Sequence, residues 1–154
     1  IAWKEEQAAL AWSGTTPFTD VAAGTQAAQY VGYAYEKGYT NGFSATSFRP
    51  AQSITASQYM EFILRALGYS SKDNTNLSDT LTRAVNAGVI TTGEQSMLQS
   101  DPFLRADLVY ISYYALDAKL SGSDQTLRDA LLIKGVYTTA ESAAAQTMVT
   151  SSRK

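Results

Sequence analysis

The side chains with the most chemical reach in this sequence are arginines and aspartates set beside turn residues. Asp20 closes the run Thr16-Pro17-Phe18-Thr19-Asp20, Arg49 sits in Phe48-Arg49-Pro50, and Arg105 and Asp107 follow Ser100-Asp101-Pro102. A guanidinium carries five N–H donors in a planar fork that matches a carboxylate, so anion recognition is the chemistry on offer. For Arg49 two readings stand: contact with a ligand, or hydrogen bonds to loop carbonyls that brace the turn, and bracing is preferred. For Asp20, between Thr19 and an expected helix start, capping of backbone N–H groups is preferred to ligand binding. Arg105 falls at an expected helix start, where a cation faces the unfavourable end of the helix dipole, and a residue placed against that preference hints at function. Gly42 after Asn41 reads as a turn that needs positive φ, which would also permit close ligand approach.

Most catalytic chemistry is excluded by composition. There is no histidine and no cysteine, which removes thiol nucleophiles, imidazole bases, Ser-His-Asp triads and the usual zinc ligand sets. Glu5 and Glu6 do not form a glycosidase pair, because neighbours on a helix point apart and that reaction needs two carboxylates facing one cleft. The chain is therefore expected to be no enzyme and to need no cofactor. The 12 basic and 14 acidic residues leave a net charge of −2, so neither nucleic acid nor an anionic membrane finds a basic footprint. No apolar run approaches the roughly 20 residues of a membrane span, and Ile1-Ala2-Trp3-Lys4 does not read as a secretory leader, as expected of a mature chain or a fragment.

The elements that must position these residues read as helices. Apolar residues at i, i+3, i+4 and i+7 share a helical face. Ala27, Tyr30, Val31, Ala34 and Tyr35 fit that spacing, as do Tyr59, Phe62, Ile63, Ala66 and Leu67, then Leu104, Leu108, Ile111 and Ala115, and more briefly Leu127, Ala130 and Leu131. The tyrosines on these faces pair an apolar ring with a polar tip suited to sugar stacking, but their spacing favours the core. Glycines 14, 38, 68, 88, 122 and 135 fall where helices should end in a left-handed turn, Pro102 suits the entry to the helix that follows it, where a missing backbone N–H costs least, and strand alternation never persists. The reading is all-α.

The chain also repeats itself. Ala34-Tyr35-Glu36-Lys37-Gly38-Tyr39 aligns with Ala84-Val85-Asn86-Ala87-Gly88-Val89, and then with Leu132-Ile133-Lys134-Gly135-Val136, at offsets of about 50 residues. Ile54-Thr55-Ala56-Ser57-Gln58 aligns likewise with Phe103-Leu104-Arg105-Ala106-Asp107, and a third copy is expected in Ile1 to Ser13. One domain over 1–154 is expected, with units 18–70 and 71–120 and partial units 1–17 and 121–154. The last holds a helix near 126–134 and a polar tail, and the segment from Ser123 should pack on the N-terminal helix to complete a split repeat.

From Phe18 to Tyr69 the sequence resembles an S-layer homology repeat. Phe18-Thr19-Asp20-Val21 is similar to the family's opening, the run from Glu36 to Pro50 follows its helix end, Asn-Gly turn and Phe-Arg-Pro loop, and Ile54-Thr55 stands where the family reads Ile-Thr-Arg-Ala-Glu. The resemblance implies a pseudo-threefold spindle of three helix–loop–helix repeats. It implies a non-catalytic module, exported to a bacterial cell wall or surface layer, that binds pyruvylated secondary cell-wall polysaccharide in grooves between repeats. The carried-over site is Arg105, Asp107, Asp20, Arg49, Gly42 and Thr55. The pattern is incomplete: Ala56 and Gln58 replace its Arg and Glu, Gln26 its Trp, Glu94 to Asp101 replace the second Phe-Arg-Pro loop, and the opening copy offers Trp3 or Glu5 for the Arg. These losses keep open an alternative, a degenerate repeat that packs against other surface-layer proteins or within a larger exported protein.

Overall fold

Hydroxyl caps and left-handed turns divide this chain into short helices. In the computed structural model, which describes residues 4–71, 74, 76–100, 102–150 and 152–154, these are α1 (Lys4–Leu10), α2 (Gln26–Glu36), α3 (Ala56–Ala66), α4 (Thr80–Asn86), α5 (Thr92–Ser100), α6 (Arg105–Ala115), α7 (Leu127–Ile133) and α8 (Thr139–Thr147). Among the described residues there is no strand, only an isolated bridge between Lys119 and Thr126. No helix among them is long and apolar enough to cross a membrane. The opening Ile1–Trp3 and the turn residue Asp101 lie outside the described residues.

The repeat holds at the level of local geometry. The helices α2, α4 and α7 end alike. The N–H groups of Gly38, Gly88 and Gly135 bond to Tyr35, Val85 and Leu132, and those of Tyr39, Val89 and Val136 to Ala34, Ala84 and Leu131. Each glycine has positive φ, so the turned-back N–H groups reach carbonyls that the helix leaves without partners. The aligned helices α3 and α6 both run 11 residues behind N-caps Thr55 and Leu104. Gly14 departs from expectation: it is absent from the left-handed region and is hemmed in by Trp12, whose Cζ2 would lie 2.7 Å from an added Cβ.

Two expected coils are helical. The stretch from Glu94, expected as a loop, belongs to α5, where the Thr91 hydroxyl accepts the Glu94 N–H at 3.0 Å and the Glu94 carboxylate accepts the Thr91 N–H at 2.8 Å. The expected polar tail contains α8, started by the same reciprocal pair in Thr138 and Glu141. Thr91 and Thr138 are separated by the same interval as Val89 and Val136, and α8 starts as α5 does. Pro102 stands at the entry to α6, just ahead of the N-cap Leu104.

The described residues group into two compact units, one reaching Ser53, the other formed by Ile54–Ser71 and the chain from Asn76 onwards. In the first, α1 packs on α2. Gly32 lies under the Trp12 ring, with only 2.0 Å from an added Cβ to Cη2, and Trp12 Nε1 donates to Glu36 at 2.8 Å. That packing turns Ala28, Val31 and Gly32 inward and leaves Ala27, Tyr30 and Tyr35 exposed, a rotation of about one residue from the expected face. Phe18 and Val21 complete this small core.

In the second unit Met60, Leu64, Leu67, Ala84, Val89 and Ile111 are buried. The inward face of α3 includes Met60 and Leu64 rather than Ala66, which is exposed. Leu104, expected on the apolar face of α6, is 57% exposed because it is the cap, outside the helix. Two buried carboxylates tie elements together. Glu61 accepts from Arg83 Nη2 at 2.7 Å, from the Thr80 hydroxyl at 3.2 Å and from the Ser70 hydroxyl. Glu94, with a fully buried side chain, pairs with Arg153 Nε at 3.0 Å, while Arg153 Nη2 donates to the Val89 carbonyl at 2.7 Å. Lys154 adds a backbone bond to the Tyr110 hydroxyl at 2.6 Å, so the last residues strap the α4–α5 corner to α6.

Breaking a buried ion pair from one side leaves the other charge uncompensated. Arg153→Ala is therefore expected to destabilise the second unit by about 3 kcal/mol in chemical denaturation. A denaturation midpoint equal to wild type would contradict the strap.

Candidate functional site

The loop between α2 and α3 has no regular hydrogen-bond ladder, so side chains must fix its shape. Asp20 does most of this. Its carboxylate accepts the Phe48 N–H, the Arg49 N–H and the Ser47 hydroxyl, each at 2.8 Å. The two backbone bonds, chiefly, hold its pKa below the usual aspartate value. Beside it, the Thr19 N–H and hydroxyl both donate to the Thr46 carbonyl at 2.9 and 3.2 Å. The preference for capping over ligand contact matches this geometry, but what is capped is the loop 28 residues or so away, while α2 takes its cap from Thr25.

The tip of this prong is a tight turn with Phe43 N–H bonded to the Ser47 carbonyl at 2.8 Å. Gly42 has φ +74, and a Cβ there would lie 2.3 Å from Phe18 Cε1; both conformation and space exclude a side chain. Phe18, edge-on to Tyr35 and tilted against Phe48, roots the turn in the core. Arg49 has φ 62, the only positive value at a non-glycine among the described residues. Its guanidinium carbon lies 3.3 Å from the centre of the exposed Phe43 ring, and Nη1 reaches Gln52 Oε1 at 3.4 Å. The expected bracing through loop carbonyls is thus replaced by stacking on Phe43 and a side-chain amide.

The remaining expected residues lie in the second unit. Thr55 is the N-cap of α3: its hydroxyl accepts the Gln58 N–H at 3.2 Å and Gln58 Oε1 accepts the Thr55 N–H at 2.9 Å, so Gln58 serves the cap that the family's Glu would serve. Asp107 makes the same return bond, accepting the Leu104 N–H at 2.8 Å. Arg105, the first residue of α6, is exposed and has no ion pair among the described residues. Leu104 and Val109 beside it are 57% and 62% exposed. The geometry therefore joins Asp20, Gly42 and Arg49 in one prong and Arg105 and Asp107 at one helix start.

Sequence reasoning missed Phe43 and Gln52 as partners of Arg49. Nothing in the spacing of an aromatic six residues before an arginine announces a stack; only the positive φ at Arg49 folds it back. No group of three or more His, Cys, Asp or Glu that could hold a metal ion occurs among the described residues. The chemistry available is therefore that of two exposed guanidiniums, Arg49 and Arg105, with no ion pair among the described residues: a fork suited to oxyanions.

The family profile of the S-layer homology domain matches residues 17–59, under a third of the chain, and spans the whole prong. No curated protein and no solved structure matches. The S-layer homology domain is a non-catalytic module associated with anchoring at the bacterial cell surface.

Two outcomes follow for the prong. Gly42→Ala is expected to lower stability by more than about 1 kcal/mol, since it adds left-handed strain to a collision with Phe18; wild-type thermal stability in that variant would contradict the packing. Asp20, with its folded pKa lowered, contributes stability that is full above its unfolded pKa of about 3.9 and is lost as pH falls through the folded value. The gap in melting temperature between wild type and Asp20→Ala should be constant at neutral pH and narrow in acid below that value. A gap that stays constant down to about pH 2 would contradict it.

Proposed function

We propose that this chain is a non-catalytic anchoring module of an exported bacterial protein that docks on secondary cell-wall polysaccharide through anionic, pyruvate-type groups. In this reading three degenerate helix–loop–helix repeats form a pseudo-threefold spindle in one domain over 1–154. Units 18–70 and 71–120 are whole, and 1–17 with 121–154 supply the third as a split repeat. The common glycine turns after α2, α4 and α7 and the paired starts of α5 and α8 support a repeat, and the match over 17–59 supports cell-wall anchoring.

The observation that carries the polysaccharide reading is Arg105. It is exposed at the start of α6, and the acid two residues on is engaged by the Leu104 N–H. A guanidinium so presented can take both oxygens of a carboxylate, a fork that lysine lacks. A second reading, a packing module for other surface-layer proteins, is favoured by the loss of the motif arginine at Ala56 and by apolar exposure at Ile133 (76%) and Met148 (81%).

Co-sedimentation with purified cell-wall sacculi separates the two. Arg105→Ala should weaken binding by about 1.5–3 kcal/mol, the usual range for a hydrogen bond to a charged group, with an unchanged melting curve. Equal binding by the variant would remove Arg105 from the site, and a wild-type protein that does not sediment with sacculi would leave the packing reading.

A further inference from the structure

We infer that the strap at Arg153-Lys154 links copies of this chain: the corner at Val89, Thr91 and Glu94 is a receptor for an Arg-Lys pair, and a second copy supplies that pair by exchange. The first argument is the receptor itself. Glu94, whose side chain has no solvent exposure, takes the Arg153 guanidinium on both oxygens, from Nε at 3.0 Å and from Nη2 at 3.1 Å. Nη2 also donates to the Val89 carbonyl at 2.7 Å, and the guanidinium carbon lies 5.2 Å from the centre of the Tyr114 ring. The Lys154 backbone is held as well: its N–H donates to the Tyr110 hydroxyl and its carbonyl accepts the Thr91 hydroxyl, both at 2.6 Å. A fork on a carboxylate, an aromatic wall and two backbone bonds make a site for one dipeptide in one orientation.

The second argument is that the receptor does not distinguish the chain from which the pair comes. Its bonds go to atoms of Arg153 and Lys154, while Met148, Thr150 and Ser152, which lead up to them, are exposed. Ahead of these, α7 and α8 bury a single residue among those described, Ser142. With no fully buried apolar side chain of its own, this stretch is fixed at its far end by the strap. The third argument is energetic. Glu94 without its guanidinium is a buried, uncompensated charge, so the receptor is filled in every stable state. Exchange keeps each contact of the closed chain and costs the entropy of association alone. A short flexible tether gives a chain's own strap an effective concentration on the order of millimolar, and copies crowded above that concentration exchange.

Because the chain has no cysteine, introduced thiols report the pairing. A Cβ added at Gly93 lies 3.1 Å from the Lys154 carbonyl carbon, within disulfide reach of a thiol at position 154. Gly93→Cys and Lys154→Cys are made singly and together in the full chain and oxidised in a glutathione buffer. Disulfides are read on non-reducing gels and by peptide mass spectrometry. The double variant, dilute, should close within one chain; failure to close overturns the receptor geometry and the inference with it. The two single variants are then mixed at about 1 mM, the order of the tether's effective concentration. The 93–154 link between chains should exceed the 93–93 and 154–154 links several-fold and lose that excess on dilution. A 93–154 link no commoner than random collision gives, at every concentration, overturns the inference and leaves a strap that stays in its own chain. Adding Arg153→Gln to the Lys154→Cys chain should abolish the excess, with a melting curve to show that the variant is folded. An excess that persists overturns the inference, since the guanidinium is then not what is recognised; if that variant does not fold, the mixed pair alone decides. No sacculus enters the experiment, so its outcome is separate from that of the anchoring reading.

Discussion

Helices of seven to 11 residues do not sustain themselves in water, where isolated helices below about 12–15 residues are marginal. The chain meets that constraint at the helix ends. Threonine hydroxyls take up the first N–H groups of α2, α3, α7 and α8, and left-handed glycines return backbone N–H groups to the last carbonyls of α2, α4 and α7. Such local devices contribute on the order of 1 kcal/mol each, so they define where helices lie without holding them together. Cohesion comes from a modest apolar core and from buried carboxylates, Glu61 and Glu94, each joined to arginine from a distant stretch of chain. Ties of this kind add little over a well-packed apolar contact yet are costly to break from one side.

The same economy of charge shapes the two candidate contacts. At the prong, Asp20 gives its lone pairs to backbone N–H groups of the loop; at α6, Asp107 gives one of its oxygens to the Leu104 N–H. In both places the acid that sequence proximity would assign to an arginine is engaged by the backbone instead. Arg49 and Arg105 are therefore exposed, with no ion pair among the described residues. Charge-assisted bonds from acid to backbone thus do two things at once: they fix local shape, and they leave a guanidinium for an external anion.

Much of this was legible before any coordinates. Periodicity and glycine spacing gave an all-helical chain, and the aligned segments at Gly38, Gly88 and Gly135 turned out to share one helix ending. Thr55 opens α3 as the motif implied. The misses have physical causes. The stretch from Glu94 and the tail after Lys134 looked too polar to be helical, but the Thr-x-x-Glu signatures at Thr91 and Thr138 specify helix starts that apolar counting overlooks. The buried face of α2 was misread by one residue because Trp12, from outside that helix, decides which side faces inward. Arg49 reaches Phe43 and Gln52 and not the loop carbonyls, and the positive φ that turns it there has no sequence signature. Its stack on Phe43 follows from backbone geometry that only the three-dimensional structure contains.

The claim on which the account stands is that uncompensated arginines, not aromatic faces or carboxylates, meet the wall polymer. Nitrogen-detected NMR of the arginine side chains during titration with soluble fragments of secondary cell-wall polysaccharide addresses it residue by residue. The account predicts that the Nε signals of Arg105 and Arg49 shift and saturate with the fragment, while those of Arg83 and Arg153, committed to buried Glu61 and Glu94, stay in place. Saturable binding that leaves both Arg105 and Arg49 unperturbed would contradict it.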